Sequence, residues 1–273
     1  MKALCQALQV SRSGYYAWLK RKPSQRARQN RQLLEKIQKA YEQSRKAYGS
    51  PRIYRVLRRE GVICGRNRVA RLMREMGVKA QRQYFYKRNT ATNHGRLESR
   101  NLVNQQFSVD KPNRVWASDI THFHTKAGWL YLAVVMDLYS RRIIGWSMKA
   151  TMREDLVIDA LEMAVQTRRC KGPEIHHSDQ GSQYASKAFM EKLSGYQIDC
   201  SMSRKGNCYD NAVVESFFKT LKAELTHVNK LESKEDARYK LFEYIEVFYN
   251  RERMHSTLAY QSPVEFERIN NIN

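Results

Sequence analysis

The charge along this chain is split in two, and that split limits how the chain can be organised. Residues 1–100 hold 26 Lys or Arg against five acids, a net of +21, whereas residues 101–273 hold 23 basic and 22 acidic residues, a net of +1. A polycationic front part therefore precedes a near-neutral body. Such a front repels itself unless a polyanion covers it, and the candidates are nucleic acid or an anionic membrane surface. A membrane-surface role calls for one basic helix with a broad apolar face, but here the basic residues are spread over several short elements. The longest apolar run, 129–136, has eight residues, well short of the ~20 that span a bilayer. The N-terminus MKALCQALQV lacks the apolar core of a signal peptide. Apolar residues make up 42% of the 273, enough for a buried core and too many for wholesale disorder. Five cysteines without a CxxC pair fit a reducing cytoplasm better than a disulfide scaffold or zinc ribbon.

The front part reads as short helices. Two flank a turn at residues 9–11, with Ser11 or Ser13 as N-cap. A longer helix over about 24–46 repeats Leu34, Ile37 and Tyr41 on one face. Ser50-Pro51 marks the next start, Ser50 as the cap and Pro51 in the first turn, and Gly61 the stop. A further helix over about 67–76 turns Val69, Leu72, Met73 and Met76 inward and ends at Gly77. Two short amphipathic helices around a Gly-containing turn form a helix-turn-helix pattern, the second being the expected groove reader. Arg52, Asn67, Arg68 and Arg71 are its expected DNA contacts. Residues 78–112, including QRQYFYKR at 81–88, show no sustained period and read as a basic, aromatic-bearing linker able to lie along DNA.

The body reads as strands and then helices. Residues 115–121, 129–137 and 142–148 are strand-like and suit an antiparallel meander. Thr151 to Glu154 has the form of a capping box opening a helix to about 168. A strand at 173–177, a helix from 186, a strand at 198–202 and a long helix at 210–226 follow. This order is that of a ribonuclease-H-like α/β core with a mixed five-stranded sheet.

Three carboxylates fall at telling places in that order. Asp119 lies in the first strand, Asp179 ends the fourth, and Glu215 sits early in the long helix, with 35 residues between the last two. Phosphoryl transfer from water or a 3′-hydroxyl is served by two divalent cations, and hard oxygen ligands suit Mg²⁺, with Mn²⁺ as a substitute. On the long helix Val214, Phe217, Leu221 and Leu225 form the core stripe, while Asn211, Glu215 and Lys222 share another. Lys222 can there neutralise a phosphate, and Asn211 on the same stripe is likewise an expected DNA contact.

WASDIT at 116–121, HSDQGSQY at 177–184 and NAVVESFFKTLKAEL at 211–225 resemble the signature blocks of DDE transposases with a retroviral-integrase-like core, in particular the OrfB product of the insertion-sequence-three family. SRSGYYAW at 11–18, YGSPRIYRVLRREG at 48–61 and YNRERMHSTLAYQSPVEF at 249–266 carry the resemblance over nearly the whole chain. It implies Asp119, Asp179 and Glu215 as the catalytic, metal-binding triad and Lys222 as the basic residue after the glutamate. It also implies an upstream OrfA product, joined by frameshift fusion, that brings its own helix-turn-helix and leucine zipper. No sustained heptad is present in this sequence.

The expected organisation is a basic helix-turn-helix region at 1–77, a linker at 78–112, the catalytic core at 113–228 and a C-terminal helical extension at 229–273. The expected activity is Mg²⁺-dependent cleavage of element-end DNA followed by 3′-hydroxyl strand transfer, without a covalent protein intermediate. Its partners are double-stranded DNA, the OrfA product and further copies of the chain on DNA, with no membrane. The rivals are a non-catalytic DNA-binding regulator and a degenerate element copy, and the intact carboxylate set argues against both. His122, His124, His176 and His177 crowd the two aspartates, but no finger-like Cys pair points to zinc. Neither a GxSxG elbow nor a Gly-rich phosphate loop is present.

Overall fold

A computed structural model describes residues 1–80, 100–170, 172–204, 207–226 and 231–270. The chain forms two compact units, Met1–Ala80 and Gln81–Asn273. The aromatic stretch at 81–88 lies outside the described residues.

The first unit is all helical. α1 (Lys2–Ala7) and α2 (Arg12–Leu19) come first, and the Ser11 hydroxyl caps α2 by accepting from the Gly14 N–H at 2.9 Å. Leu4, Trp18 and Leu19 on these two helices, and Leu8 at the end of α1, are exposed. α3 (Gln25–Gln43) is capped by Ser24. Its buried stripe is Leu33, Ile37, Ala40 and Tyr41, so Leu33 takes the place expected of Leu34, one turn before Ile37. α4 (Ser50–Arg59) and α5 (Arg66–Glu75) pack on α3 and close a small core of Ile37, Ile53, Leu57, Val69 and Leu72, all with no exposed surface. Fully burying such side chains contributes about 1.5–3 kcal/mol each. Ser50 is not the cap of α4. The helix begins one residue earlier than expected, on an extended Gly49, and Ser50 lies inside its first turn with Pro51. The chain leaves α4 through Gly61 at φ +74°, a backbone state that L side chains resist. The Tyr41 hydroxyl donates to the Lys79 carbonyl at 3.0 Å and ties the end of this unit back to α3.

The second unit is built on one mixed sheet. β1 (Val115–Thr125), β2 (Gly128–Asp137) and β3 (Ile143–Lys149) form an antiparallel meander, and β4 (Ile175–Ser178) and β5 (Asp199–Met202) add in parallel beside β1. The strand order is β3-β2-β1-β4-β5. This confirms the expected ribonuclease-H-like architecture, with β1 running four residues beyond its expected end. Along one face Trp116, Val135 and Ile144 meet Leu156, Leu161 and Ala164 of α6 (Glu154–Arg168), together with Phe189 and Leu193 of α7 (Lys187–Gly195). β3 and α6 approach so closely that a Cβ on Gly145 would lie 2.2 Å from the Ala160 carbonyl oxygen. The capping box expected at Thr151–Glu154 does not form. Arg153 is the N-cap and makes no side-chain cap bond. Lys149 instead joins the end of β3 to the first turns of α6 through Asp155 and Asp159, each at 2.7 Å.

The other face carries α8 (Ala212–Thr226), which is entered through a 3₁₀ turn at Cys208–Asn211. Val214, Phe217, Leu221 and Leu225 are buried, as their spacing predicts. α9 (Lys234–Phe242), a π-helical segment at Glu243–Glu252 and α10 (Pro263–Ile269) also pack into this unit. The Asn250 amide accepts from the Ile143 N–H at 3.0 Å and donates to the Ile143 carbonyl at 2.8 Å, satisfying the backbone of the edge strand β3 as a neighbouring strand would. Asp137, Arg168 and Glu267 form a buried charge cluster that pins α10 to β2 and α6. Residues 100–113 are likewise bonded into this unit, for example through the Leu102 N–H to Ser201 Oγ at 2.9 Å and the Asn113 N–H to Asp137 Oδ2 at 3.1 Å.

Candidate active site

Parallel pairing brings the two aspartates together. β1 and β4 are in register at Trp116 with His176 and at Ala117 with His177. Continued two residues further, that register sets Asp119 level with Asp179, where β4 has just ended. Paired residues of adjacent strands project from the same face, so two acids distant in sequence share one face of the sheet. The Asp179 Oδ1 accepts from the Gly181 N–H at 3.0 Å, and a Cβ on Gly181 would stand 2.9 Å from that same oxygen. A side chain at 181 would force that carboxylate to move.

α8 supplies the third acid. Asn211, 5% exposed, donates from Nδ2 to the Ser118 carbonyl at 2.9 Å and fixes the start of the helix one residue from Asp119. Glu215 follows one turn later, with Lys219 Nζ 3.6 Å from its Oε2. Two turns on, Lys222 Nζ lies 5.6 Å from the centre of the Phe123 ring, further along β1.

The electrostatics fit a shared anionic site. Burial pushes the Asp119 carboxyl well above its ordinary range, and the charges of Asp179 and Glu215 push it further, against the opposing pull of the Ile120 N–H and Lys222. Burial and Glu215 likewise raise Asp179. Burial lowers Lys222, while Asp119 acts in the other direction. Among the described residues, no group of three His, Cys, Asp or Glu side chains is drawn close enough to enclose a metal ion. The acids are nonetheless hard oxygen donors that gain from a cation by losing mutual repulsion.

The structure gives most of the residues expected at DNA a partner within the protein. Asn211 was expected to face DNA, but it is buried and its donor is spent on β1. Arg68 was also expected at DNA, and its guanidinium reaches back to the Asn30 side chain at 2.6 Å. Asn67 is exposed, Arg52 lies over the Tyr48 ring, and Arg71 pairs with Glu75. His176 and His177 face into hydrogen bonds. The first pairs with Ser118 Oγ at 2.7 Å, and the second pairs with Ser201 Oγ at 2.8 Å and the Asp210 carbonyl at 2.9 Å. Asp210 and its partners Gln105 and Arg204 were missed. A lone acid before a helix reads as an ordinary first-turn charge, and its partners are remote or sit in a loop.

A family model described as Integrase core domain matches residues 109–208, and a second with that description matches 196–263. An HTH-like domain model matches residues 28–86. Fold and matches together define an integrase-core polynucleotidyl transferase carrying a helix-turn-helix-like domain. The chain is 42% identical over 99% of its length, and 94% of the relative's, to the transposase InsF for insertion sequence IS3A of Escherichia coli K12. It is 41% identical over 92% of its length, and 99% of the relative's, to the transposase for insertion sequence element IS904 of Lactococcus lactis. A 31 kDa protein of insertion element IS600 from Shigella sonnei is 41% identical over 96% of this chain and 97% of its own length. Among solved structures, the HTLV-2 integrase catalytic core domain in complex with magnesium is similar at 21% identity and a TM-score of 0.42, over 57% of this chain and 96% of that one. The chain belongs to the IS3 family of insertion-sequence transposases. No described helix is long and apolar enough to cross a membrane.

Proposed function

We propose that this transposase cuts element-end DNA and joins the freed 3′ end to target DNA at the site formed by Asp119, Asp179 and Glu215. The observation that supports the reading is the β1–β4 register, which sets Asp119 level with Asp179, together with the Asn211 bond to the Ser118 carbonyl, which ties the start of the helix carrying Glu215 to β1 beside Asp119. The three carboxylates would hold divalent cations, a pair of Mg²⁺ ions with Mn²⁺ as a substitute. When bound, such ions activate the attacking oxygen and stabilise the charge on the leaving oxygen.

The chain's own residues set the geometry. The β1–β4 register fixes the two aspartates, Asn211 fixes the helix that carries Glu215, and Lys222 offers positive charge beside Asp119 for a phosphate oxygen. In the first step a water oxygen bonds to phosphorus, the P–O3′ bond breaks, and the 3′ oxygen leaves with a proton. In the second, that 3′-hydroxyl loses its proton and bonds to a target phosphorus, the target's own P–O3′ bond breaks, and the released 3′ oxygen takes up a proton. Each step exchanges one phosphodiester bond without oxidation or reduction.

DNA engagement is assigned to the basic first unit, helped by further copies of the chain and by an upstream OrfA product that supplies the dimerising zipper. In the cell these steps belong to the cytoplasm, where the DNA is. The test is a nicking assay on element-end duplex with Mg²⁺, run on the full chain or on its OrfA fusion. Wild type nicks and joins. Asp119→Asn and Asp179→Asn bind the duplex and do neither. Cleavage by either amide variant at the wild-type rate would refute the assignment.

A further inference from the structure

Between β5 and α8 the chain makes a buried polar joint that the three-carboxylate site does not itself explain. Asp210 has no exposed surface. Its carboxylate accepts four hydrogen bonds: from Gln105 Nε2 at 2.8 Å and from the Arg204 backbone N–H, Nε and a terminal guanidinium nitrogen, each at 2.9 Å. Arg204 holds that carboxyl far below the usual range, so it is ionised at any working pH. The Asp210 carbonyl accepts from the ring of His177 at 2.9 Å, and the other ring nitrogen of His177 pairs with Ser201 Oγ at 2.8 Å. Ser203 Oγ adds a contact to the Ser178 carbonyl at 3.2 Å. On one side this joint grips β4 just before Asp179, and on the other it grips the residue before Asn211, which binds the Ser118 carbonyl beside Asp119.

We propose that Asp210 is a positioning residue for phosphoryl transfer. Clamped by Arg204 and Gln105, it locks the entry of α8 to β4 and so sets Glu215 against Asp119 and Asp179. A buried carboxylate with four donors is costly to desolvate, and packing alone would be served as well by an apolar side chain. What the ionic clamp adds is direction. The guanidinium fork fixes the loop backbone at 204 against 210, and His177 fixes the carbonyl of 210 against the strand. A helix pinned through the 3₁₀ turn that leads into it presents Glu215, four residues past Asn211, at a defined height above the sheet. Supporting groups of this kind are worth roughly 10–100-fold in metal affinity or activity.

The inference rests on the three-carboxylate reading, and the experiment separates the two. Asp210→Asn, Arg204→Ala and Glu215→Gln are made in the full chain. Each is measured for Mn²⁺ affinity by electron paramagnetic resonance, element-end cleavage, duplex affinity and melting midpoint. Asp210→Asn and Arg204→Ala are expected to weaken Mn²⁺ binding and slow cleavage by roughly 10–100-fold while duplex affinity holds. If Asp210→Asn does not fold, Arg204→Ala decides, because its side chain is 54% exposed and its loss leaves no large cavity. A lowered melting midpoint with wild-type Mn²⁺ affinity and cleavage overturns the proposal, since a merely structural joint would behave that way. If Glu215→Gln cleaves normally, the carboxylate reading fails and the positioning role falls with it. If Glu215→Gln is inactive while Asp210→Asn matches wild type, only the positioning role falls.

Discussion

Removing Arg253 should unseat α8 from its far end. Arg253 and Glu224 are 5% and 7% exposed at their side chains, and the guanidinium meets both carboxylate oxygens, at 2.8 Å from its terminal nitrogen and 2.9 Å from Nε. The Tyr244 hydroxyl donates to the same carboxylate at 2.7 Å. Arg253→Met removes the positive partner and leaves a buried carboxylate with one neutral donor, a change that costs about 3–5 kcal/mol. For a unit of this size each kcal/mol lowers the melting midpoint by about 2–4 °C, so the fall is about 6–20 °C. Glu224 lies two residues past Lys222 on α8, so cleavage should fall while duplex affinity stays with the basic first unit. The triple variant Glu224→Leu, Tyr244→Phe, Arg253→Met removes all the partners together and should recover to within about 2 kcal/mol of wild type, because no buried charge is stranded. Chemical denaturation gives the free energies and calorimetry the midpoints. A loss under 1 kcal/mol for the single variant, or a triple variant as unstable as the single, would refute the reasoning.

Two other predictions follow from buried and exposed charge. His176 is 1% exposed, and burial, with His177 beside it, lowers its pKa to about 3. Its folded value lies below the unfolded one, so its contribution to stability is complete above about 6.5 and is lost as pH falls from there towards 3, by about 1.4 kcal/mol per pH unit. His176→Gln should lack that part of the acid slope in pH-dependent urea melts, and an unchanged slope would contradict it. Duplex affinity should fall with salt with a log–log slope of about −0.9 for each phosphate neutralised. Arg71→Gln, at an exposed position of α5, should make that slope shallower by about 0.9, and an unchanged slope in mobility shifts at several salt concentrations would contradict it.

The parts legible in the sequence are those where one periodicity decides the structure. β2 is a continuous apolar run because from Leu132 to Met136 both of its faces are covered, and the stripe from Val214 to Leu225 could belong only to a helix on a core. The acids stood out because Asp119 falls within one strand-like run, Asp179 at the end of another and Glu215 off the apolar stripe of the long helix. The C-terminal segment was far less legible. Its strongest anchors are polar: Asn250 on the backbone of β3, Arg253 on Glu224, and Glu267 on Arg168. Buried polar pairs carry no period, and each half looks like an exposed charge until its distant partner is known. The π-helical turn at Glu243–Glu252 has no sequence signature of its own. The caps failed at Ser50 and Thr151 for a related reason, since packing of the helix body shifted or replaced the local hydrogen bond that a motif suggests.

The central claim is that Asp119, Asp179 and Glu215 act as one cation-holding unit, and direct metal binding tests it without any need for turnover. Mn²⁺ is titrated into the full chain at neutral pH and followed by its free-ion resonance, for wild type, Asp119→Asn, Asp179→Asn and Glu215→Gln, each shown by circular dichroism to be folded. Wild type should draw Mn²⁺ out of solution in competition with Mg²⁺, and each amide variant should bind at least tenfold more weakly, because each removes a charged oxygen ligand from the same site. Wild-type affinity in any one of the three would contradict the claim.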